Sequence, residues 1–263
     1  MIAGFKLTVI VPVYNEEKTV KGVVEALCLG DKIDEIIAIN DGSTDGSLGQ
    51  LSSCSRKKLR IISFRKNRGK GAAMAAGVKQ AKGDIVIFCD SDLINLNATE
   101  VEALAKPLTT HRAKVVLGGF KNKSQLFSNL TGERAYFRND LLPHLAHIEA
   151  SRLGVETYLN SVFDQWKVVN MNVIHLEKYE KMALSEASWQ YIKEGVEIAM
   201  EKAKIKGILS DDIREQLESL KSVRDWVSWE KALKKINNYQ IVKMLKKYAR
   251  EYVGKFQKIL GVD

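Results

Sequence analysis

Leu7-Thr8-Val9-Ile10-Val11-Pro12-Val13 is an apolar, β-branched run that stops abruptly at the polar group Tyr14-Asn15-Glu16. Seven residues of this kind read as a buried strand, because branched side chains suit a pleated surface and the run is too short for a buried helix. Outward from it the pattern alternates. Residues 16–29 have helical spacing, with Val20, Val23, Val24 and Leu27 on one face and Gly30 as the stop. Further strands are expected over 33–39, 59–64, 84–89 and 114–117, and helices over 68–81, 98–108 and 138–150. Strands separated by helices of this length imply an α/β fold, a doubly wound, mostly parallel sheet with helices on both faces. The stretch 121–183 is less regular, with a strand-like run over 167–174. From residue 184 the chain reads as helices only. Gly207 interrupts them and Ser210-Asp211-Asp212 restarts them. The expected division is therefore an α/β domain over 1–183 and an α-helical extension over 184–263.

In such sheets ligands bind beyond the carboxyl ends of the strands, and four polar clusters fall there. Asp90-Ser91-Asp92 follows the fourth strand. Two carboxylates so spaced can share one divalent ion, and hard oxygen donors suit Mg²⁺ or Mn²⁺. A helix-capping turn accounts for the same residues equally well. Asp41-Gly42 follows the second strand, where a carboxylate can accept a hydrogen bond from a base or ribose, or simply make a turn. Gly69-Lys70-Gly71 opens a helix, so its amides and ammonium suit an anion. It lacks the earlier Gly and the trailing Ser/Thr of a P-loop. His175, after the run 167–174, is a candidate third metal ligand. Glu156, behind Gly154, is a candidate general base or a favourable charge at a helix start. His111, His144 and His147 have no companions and read as structural.

The 263 residues are 45% hydrophobic and 28% charged, with three prolines and no low-complexity tract, so bulk disorder is not expected. No apolar run approaches the ~18 residues of a membrane span. Cys28, Cys54 and Cys89 are odd in number and have no metal-ligand spacing, as expected for reduced thiols in a cytoplasmic protein. The formal net charge is +9, which favours anionic partners. Residues 231–263 hold nine Lys/Arg and two acids, so most of that charge is at the end. Ile241, Leu245, Tyr248, Tyr252, Phe256 and Ile259 share one helical face there.

Taken together, the segments Val9–Glu16, Ile39–Asp45, Asn67–Gly71 and Asp90–Asp92 resemble, in order and spacing, the family 2 glycosyltransferases of GT-A fold. The resemblance covers residues 5–120. It implies a sugar transferred from a UDP- or GDP-sugar, with Mg²⁺ or Mn²⁺ as cofactor. By position, Pro12, Tyr14, Asn15 and Glu16 would line the nucleoside pocket. Asp41 and Gly42 would approach the base, and Gly69, Lys70 and Ser91 would lie along the nucleotide. Asp90 and Asp92 would be the family's metal-binding pair, with Asp92 at the reaction centre. Thr131-Gly132-Glu133-Arg134 and Gly154-Val155-Glu156 are similar to segments of the branch that includes dolichyl-phosphate mannosyltransferases and glucosyl-3-phosphoglycerate synthases. That likeness brings in Glu133 and Glu156 as catalytic candidates and His175 as a metal ligand. It also divides the α/β domain into a nucleotide-sugar half, 1–120, and an acceptor side, 121–183.

Two family features are missing. There is no Glu-Asp pair for a catalytic base and no Gln-x-x-Arg-Trp segment of processive synthases. A polyprenyl-phosphate acceptor, already an anion, needs no base, and a small phosphorylated or hydroxyl acceptor is the other candidate. Two other functions compete with sugar transfer. A sugar-nucleotidyl transferase would carry a Gly-rich basic loop where Tyr14-Asn15-Glu16-Glu17 stands. A non-catalytic nucleotide-sugar-binding or scaffold protein would use the basic tail to engage RNA or membrane, but that tail holds no recognisable nucleic-acid module, so specific nucleic-acid binding is not expected. The tail's amphipathic face suits either an anionic lipid surface at the inner face of the membrane or docking within the protein or a homodimer.

Overall fold

A computed structural model describes residues 1–54, 57–120, 131–163, 166–172, 174–175, 184–223, 226–247 and 249. The chain forms two compact units, Met1–Leu176 and Glu177–Asp263. In the first, the elements run β1 (Leu7–Val13), α1 (Val20–Cys28), β2 (Glu35–Asn40), α2 (Ser47–Ser53), β3 (Leu59–Ser63), α3 (Lys70–Gln80), β4 (Ile85–Phe88) and a short β5 (Leu93–Ile94). There follow α4 (Ala98–Ala103), α5 (Lys106–Thr109), β6 (Val115–Phe120), β7 (Arg134–Phe137), α6 (Arg138–Leu141), α7 (Leu145–Ala150), α8 (Val155–Val162), β8 (Trp166–Met171) and β9 (Ile174–His175).

Seven strands form one sheet in the order β3-β2-β1-β4-β7-β6-β8. The first four are parallel, β7 runs antiparallel to β4 and β6, and β6 is parallel to β8. The mostly parallel, doubly wound sheet expected from the sequence is thus present. Both faces are covered, as a parallel sheet requires. Side chains alternate across it. Val9, Val11, Ile36, Ala38, Ile85 and Ile87 join a core with α1 and α4. Ile10, Ile37, Ile39, Val86 and Phe88 join a second core with α3, α7 and α8. A strand buried on both faces is apolar except where a polar side chain finds a partner, as Thr8 does in Glu35, which is why β1 reads as a nearly continuous apolar run rather than an alternation. Pro12 is tolerated in this central strand because the β1–β4 ladder ends at Ile10↔Phe88, so its missing N–H falls where the strands part.

Among the departures from the sequence reading, the helix expected over 138–150 is α6 and α7 separated by a 3₁₀ turn, Leu142–His144, that contains Pro143. The helix expected over 98–108 is two short ones, because Pro107 cannot donate to the Ala103 carbonyl and its ring crowds that turn. The segment 131–136, read as irregular, ends in the interior strand β7. Its four residues include a fully buried Arg134, which breaks the apolar pattern that marks an inner strand. The run 167–174 divides at Asn172, whose N–H is donated to Glu100, and continues as β9 paired with β5.

The second unit comprises α9 (Leu184–Ile205), α10 (Asp211–Leu220) and α11 (Trp226–Lys235), with residues 239–247 also helical. After α9, Ile208 N–H bonds the Ala203 carbonyl and Gly207 N–H the Lys204 carbonyl. Ser210 caps α10 by accepting the Ile213 N–H. Ile241, Leu245 and Ala249 are buried with Leu217, Leu220, Trp229 and Leu233. The start of the terminal amphipathic stripe therefore packs within its own unit. Tyr248, Tyr252, Phe256 and Ile259 lie outside the described residues. Among the described residues no helix is long and apolar enough to cross a membrane.

Candidate active site

The loops that leave β1, β2, β3 and β4 meet at one rim. The first loop is held by the second. The Asn15 side-chain oxygen accepts the Thr44 N–H at 2.8 Å, and the Glu16 N–H is donated to Ser47 Oγ at 2.7 Å. Asn15 itself has a positive φ of 56°, a conformation that asparagine tolerates better than most residues. Pro12 and Glu16 are buried and Tyr14 is 41% exposed, so the loop offers one aromatic face to solvent.

Asp41 is 2% exposed. Its Oδ1 accepts the Arg68 N–H at 2.7 Å and its Oδ2 the Gly69 N–H at 2.8 Å. Burial raises its pKa above the ordinary carboxylate value, against the pull of those two amides and of the Arg152 and Arg68 charges. The sequence reading offered a turn or a base contact for Asp41, and the structure adds a clamp on the entry to α3. Gly42 has no room for a side chain, since a Cβ there would overlap the Lys66 backbone, and its φ is +68°.

Lys70, the first residue of α3, spans two acids. Its Nζ lies 2.8 Å from Asp90 Oδ1 and 2.7 Å from Glu156 Oε1. Burial by itself would depress the ammonium, but the two carboxylates outweigh it and hold Lys70 well above the usual lysine range. Asp90 is also shielded by Gly132, where a Cβ would overlap the carboxylate. Ser91 is buried and Asp92 half-buried. Glu133 is 1% exposed, and its Oε2 accepts the Thr131 hydroxyl at 2.6 Å. The Cys89 thiol between these groups is pushed well up, by burial and then by the Glu133, Asp90 and Asp92 charges. Negative charge is therefore dense at the end of β4.

The donor set there, two hard carboxylates separated by Ser91, fits Mg²⁺ or Mn²⁺. Among the described side chains no three His, Cys, Asp or Glu close on one point. The backbone of His175 lies opposite Leu93, the residue after Asp92, through the β5–β9 pairing.

Arg134 enters the sequence reading only through the resemblance of the Thr131–Arg134 segment, and Arg152 does not enter it at all. Arg134, 0% exposed, donates through Nε to the Thr131 carbonyl at 2.6 Å and through a terminal nitrogen to Asn160 Oδ1 at 2.9 Å. It thereby ties the Gly132 turn to α8, which carries Glu156. Arg152 has a positive φ of 46° and packs against Gly69. Only its distance in sequence from the first four motifs concealed it. His144 and His147, read as structural, pack on Tyr158, the first hydrogen-bonded at 2.8 Å and the second stacked with centroids 3.6 Å apart.

A mostly parallel sheet with a helix start and two carboxylates on its carboxyl rim defines an α/β protein of GT-A architecture. The sequence model of Glycosyl transferase family 2 matches residues 8–168, and the chain belongs to that family. It is 30% identical over 135 residues to the glucosyl-3-phosphoglycerate synthase of Mycobacterium tuberculosis, covering 49% of this chain and 42% of that protein. It is 30% identical over 178 residues to the dodecaprenyl-phosphate galacturonate synthase of Rhizobium johnstonii, covering 64% and 52%. The chain thus spans about half the length of these curated relatives. The crystal structure of the M. tuberculosis synthase with Mn²⁺, UDP and glucosyl-3-phosphoglycerate superposes with a TM-score of 0.61 at 25% identity, covering 80% of this chain and 83% of that one.

Proposed function

We propose that this chain transfers a hexosyl group from a UDP- or GDP-sugar to a phosphorylated acceptor, either a polyprenyl phosphate or a small phosphorylated metabolite. The observation that carries this reading is Lys70 set between Asp90 and Glu156, at the start of α3 on the carboxyl rim of the sheet. The two relatives named above support the acceptor class, since one is named for phosphoglycerate and the other for a polyprenyl phosphate.

In this reading residues 1–183 are catalytic and 184–263 are a helical extension, a candidate surface for lipid or for a second copy. Pro12, Tyr14, Asn15 and Glu16 wall the nucleoside. Asp41 and Gly42 shape its floor by fixing the loop that ends at Gly69. Lys70 and the α3 amides face the diphosphate, with Ser91 beside them. Asp90, Asp92 and His175 would hold Mg²⁺ or Mn²⁺, which when bound neutralises charge on the departing nucleoside diphosphate. Glu156 is the carboxylate available to take a proton from a hydroxyl acceptor; a phosphate acceptor is already ionised and needs none. Glu133, buried under Thr131, sets the turn that holds Gly132 against Asp90.

Calorimetric titration of UDP and GDP, each with Mn²⁺ and with EDTA, tests the reading. Metal-dependent binding of one nucleotide is expected. Absence of binding by both under every condition overturns it.

A further inference from the structure

The Lys70 ammonium occupies Asp90 Oδ1 at 2.8 Å, one of the two oxygens through which Asp90 could hold a divalent ion. The Lys70 and Asp90 side chains are each 21% exposed and Glu156 is 9% exposed. Charges so sheltered interact much more strongly than in water. A metal ion and an ammonium on one carboxylate repel, so the ion can enter cheaply only if Lys70 moves. The position of Lys70 restricts where it can go. As the first residue of α3 it is anchored at a helix start whose amides face the rim, where an anion is favoured. A diphosphate arriving there offers the ammonium a replacement for Asp90.

We infer that Lys70 is a latch that couples metal to nucleotide: in the nucleotide-free protein it competes with the divalent cation for Asp90, and it releases Asp90 when a diphosphate takes the ammonium. The coupling is reciprocal, so metal and nucleotide each tighten the other. This inference rests on the proposed placement of metal and diphosphate at Asp90, Asp92 and α3.

The test is Mn²⁺ binding by calorimetry to the full chain, wild type and Lys70→Met, without nucleotide and with UDP or GDP. Wild type is expected to bind Mn²⁺ weakly alone and about tenfold or more tightly with one nucleotide. Lys70→Met is expected to bind Mn²⁺ alone about tenfold more tightly than wild type, with the nucleotide effect diminished. If Lys70→Met binds Mn²⁺ alone no better than wild type, the latch is overturned while the reading of the site stands. If wild type binds no Mn²⁺ with either nucleotide, the site reading itself fails and the latch with it. Should Lys70→Met not melt cooperatively, the wild-type chain answers instead. The acetylation rate of the Lys70 amine, followed by mass spectrometry, should rise when Mn²⁺ saturates the nucleotide-free protein, and an unchanged rate overturns the latch.

Discussion

Asp41 holds the backbone of Gly69, its Oδ2 accepting that N–H at 2.8 Å while its other oxygen takes Arg68. Asp41→Ala leaves two sheltered N–H groups without their acceptor. A loss of about 3 kcal/mol is expected, since each bond involves a charged group. Urea denaturation measures it, and nucleotide affinity should fall in parallel because the entry to α3 loosens.

Asp92 is half-buried and sits one residue before β5, so its removal should disturb chemistry more than folding. Asp92→Ala is expected to reduce sugar transfer by about a hundredfold or more with an unchanged melting temperature. Undiminished transfer would remove Asp92 from the reaction.

Gly132 lies against the Asp90 carboxylate with no space for a methyl group. Gly132→Ala is expected to cost about 1–3 kcal/mol, the usual range for overpacking. Because the displaced group is Asp90, Mn²⁺-dependent nucleotide binding should weaken even at temperatures where the variant is fully folded.

Arg134 bridges the Thr131 carbonyl and Asn160 from a fully buried position. Arg134→Met should destabilise by about 3 kcal/mol, as those acceptors lose a charged donor. Arg134→Lys keeps the charge but not the planar fork, and should recover only part of that loss in a denaturant titration.

Asp45 supports the first loop from below: it accepts the Ser47 amide at 3.0 Å and hydroxyl at 2.5 Å, and the Glu17 amide at 3.2 Å. Burial opposes ionisation there, but these bonds prevail and hold Asp45 under the usual 3.8. A depressed folded value means that its contribution is complete above pH 3.8 and is lost as pH falls through the folded value. Asp45→Asn should remove that component, no more than about 1 kcal/mol given its partial exposure. Denaturation midpoints between pH 3 and pH 7 read it directly.

The sequence by itself determined the α/β alternation and the rim. β1 is legible because a strand covered on both faces is apolar along most of its length, and the polar residues that follow each strand mark where its carboxyl end meets solvent. The spacing of Asp90 and Asp92 at the end of the fourth strand was likewise visible in the sequence. Tertiary structure alone decided what those residues touch. Lys70 reaches both Asp90 and Glu156 because α3 and α8 pack on the same face of the sheet. Asp41 clamps α3 rather than only turning the chain, because parallel pairing sets the end of β2 beside the loop that leaves β3. β7 stayed hidden, since a buried arginine in an inner strand makes sense only once Thr131 and Asn160 are seen to satisfy it. Periodicity reports which face a residue occupies, whereas partners far apart in sequence are set by how the layers stack.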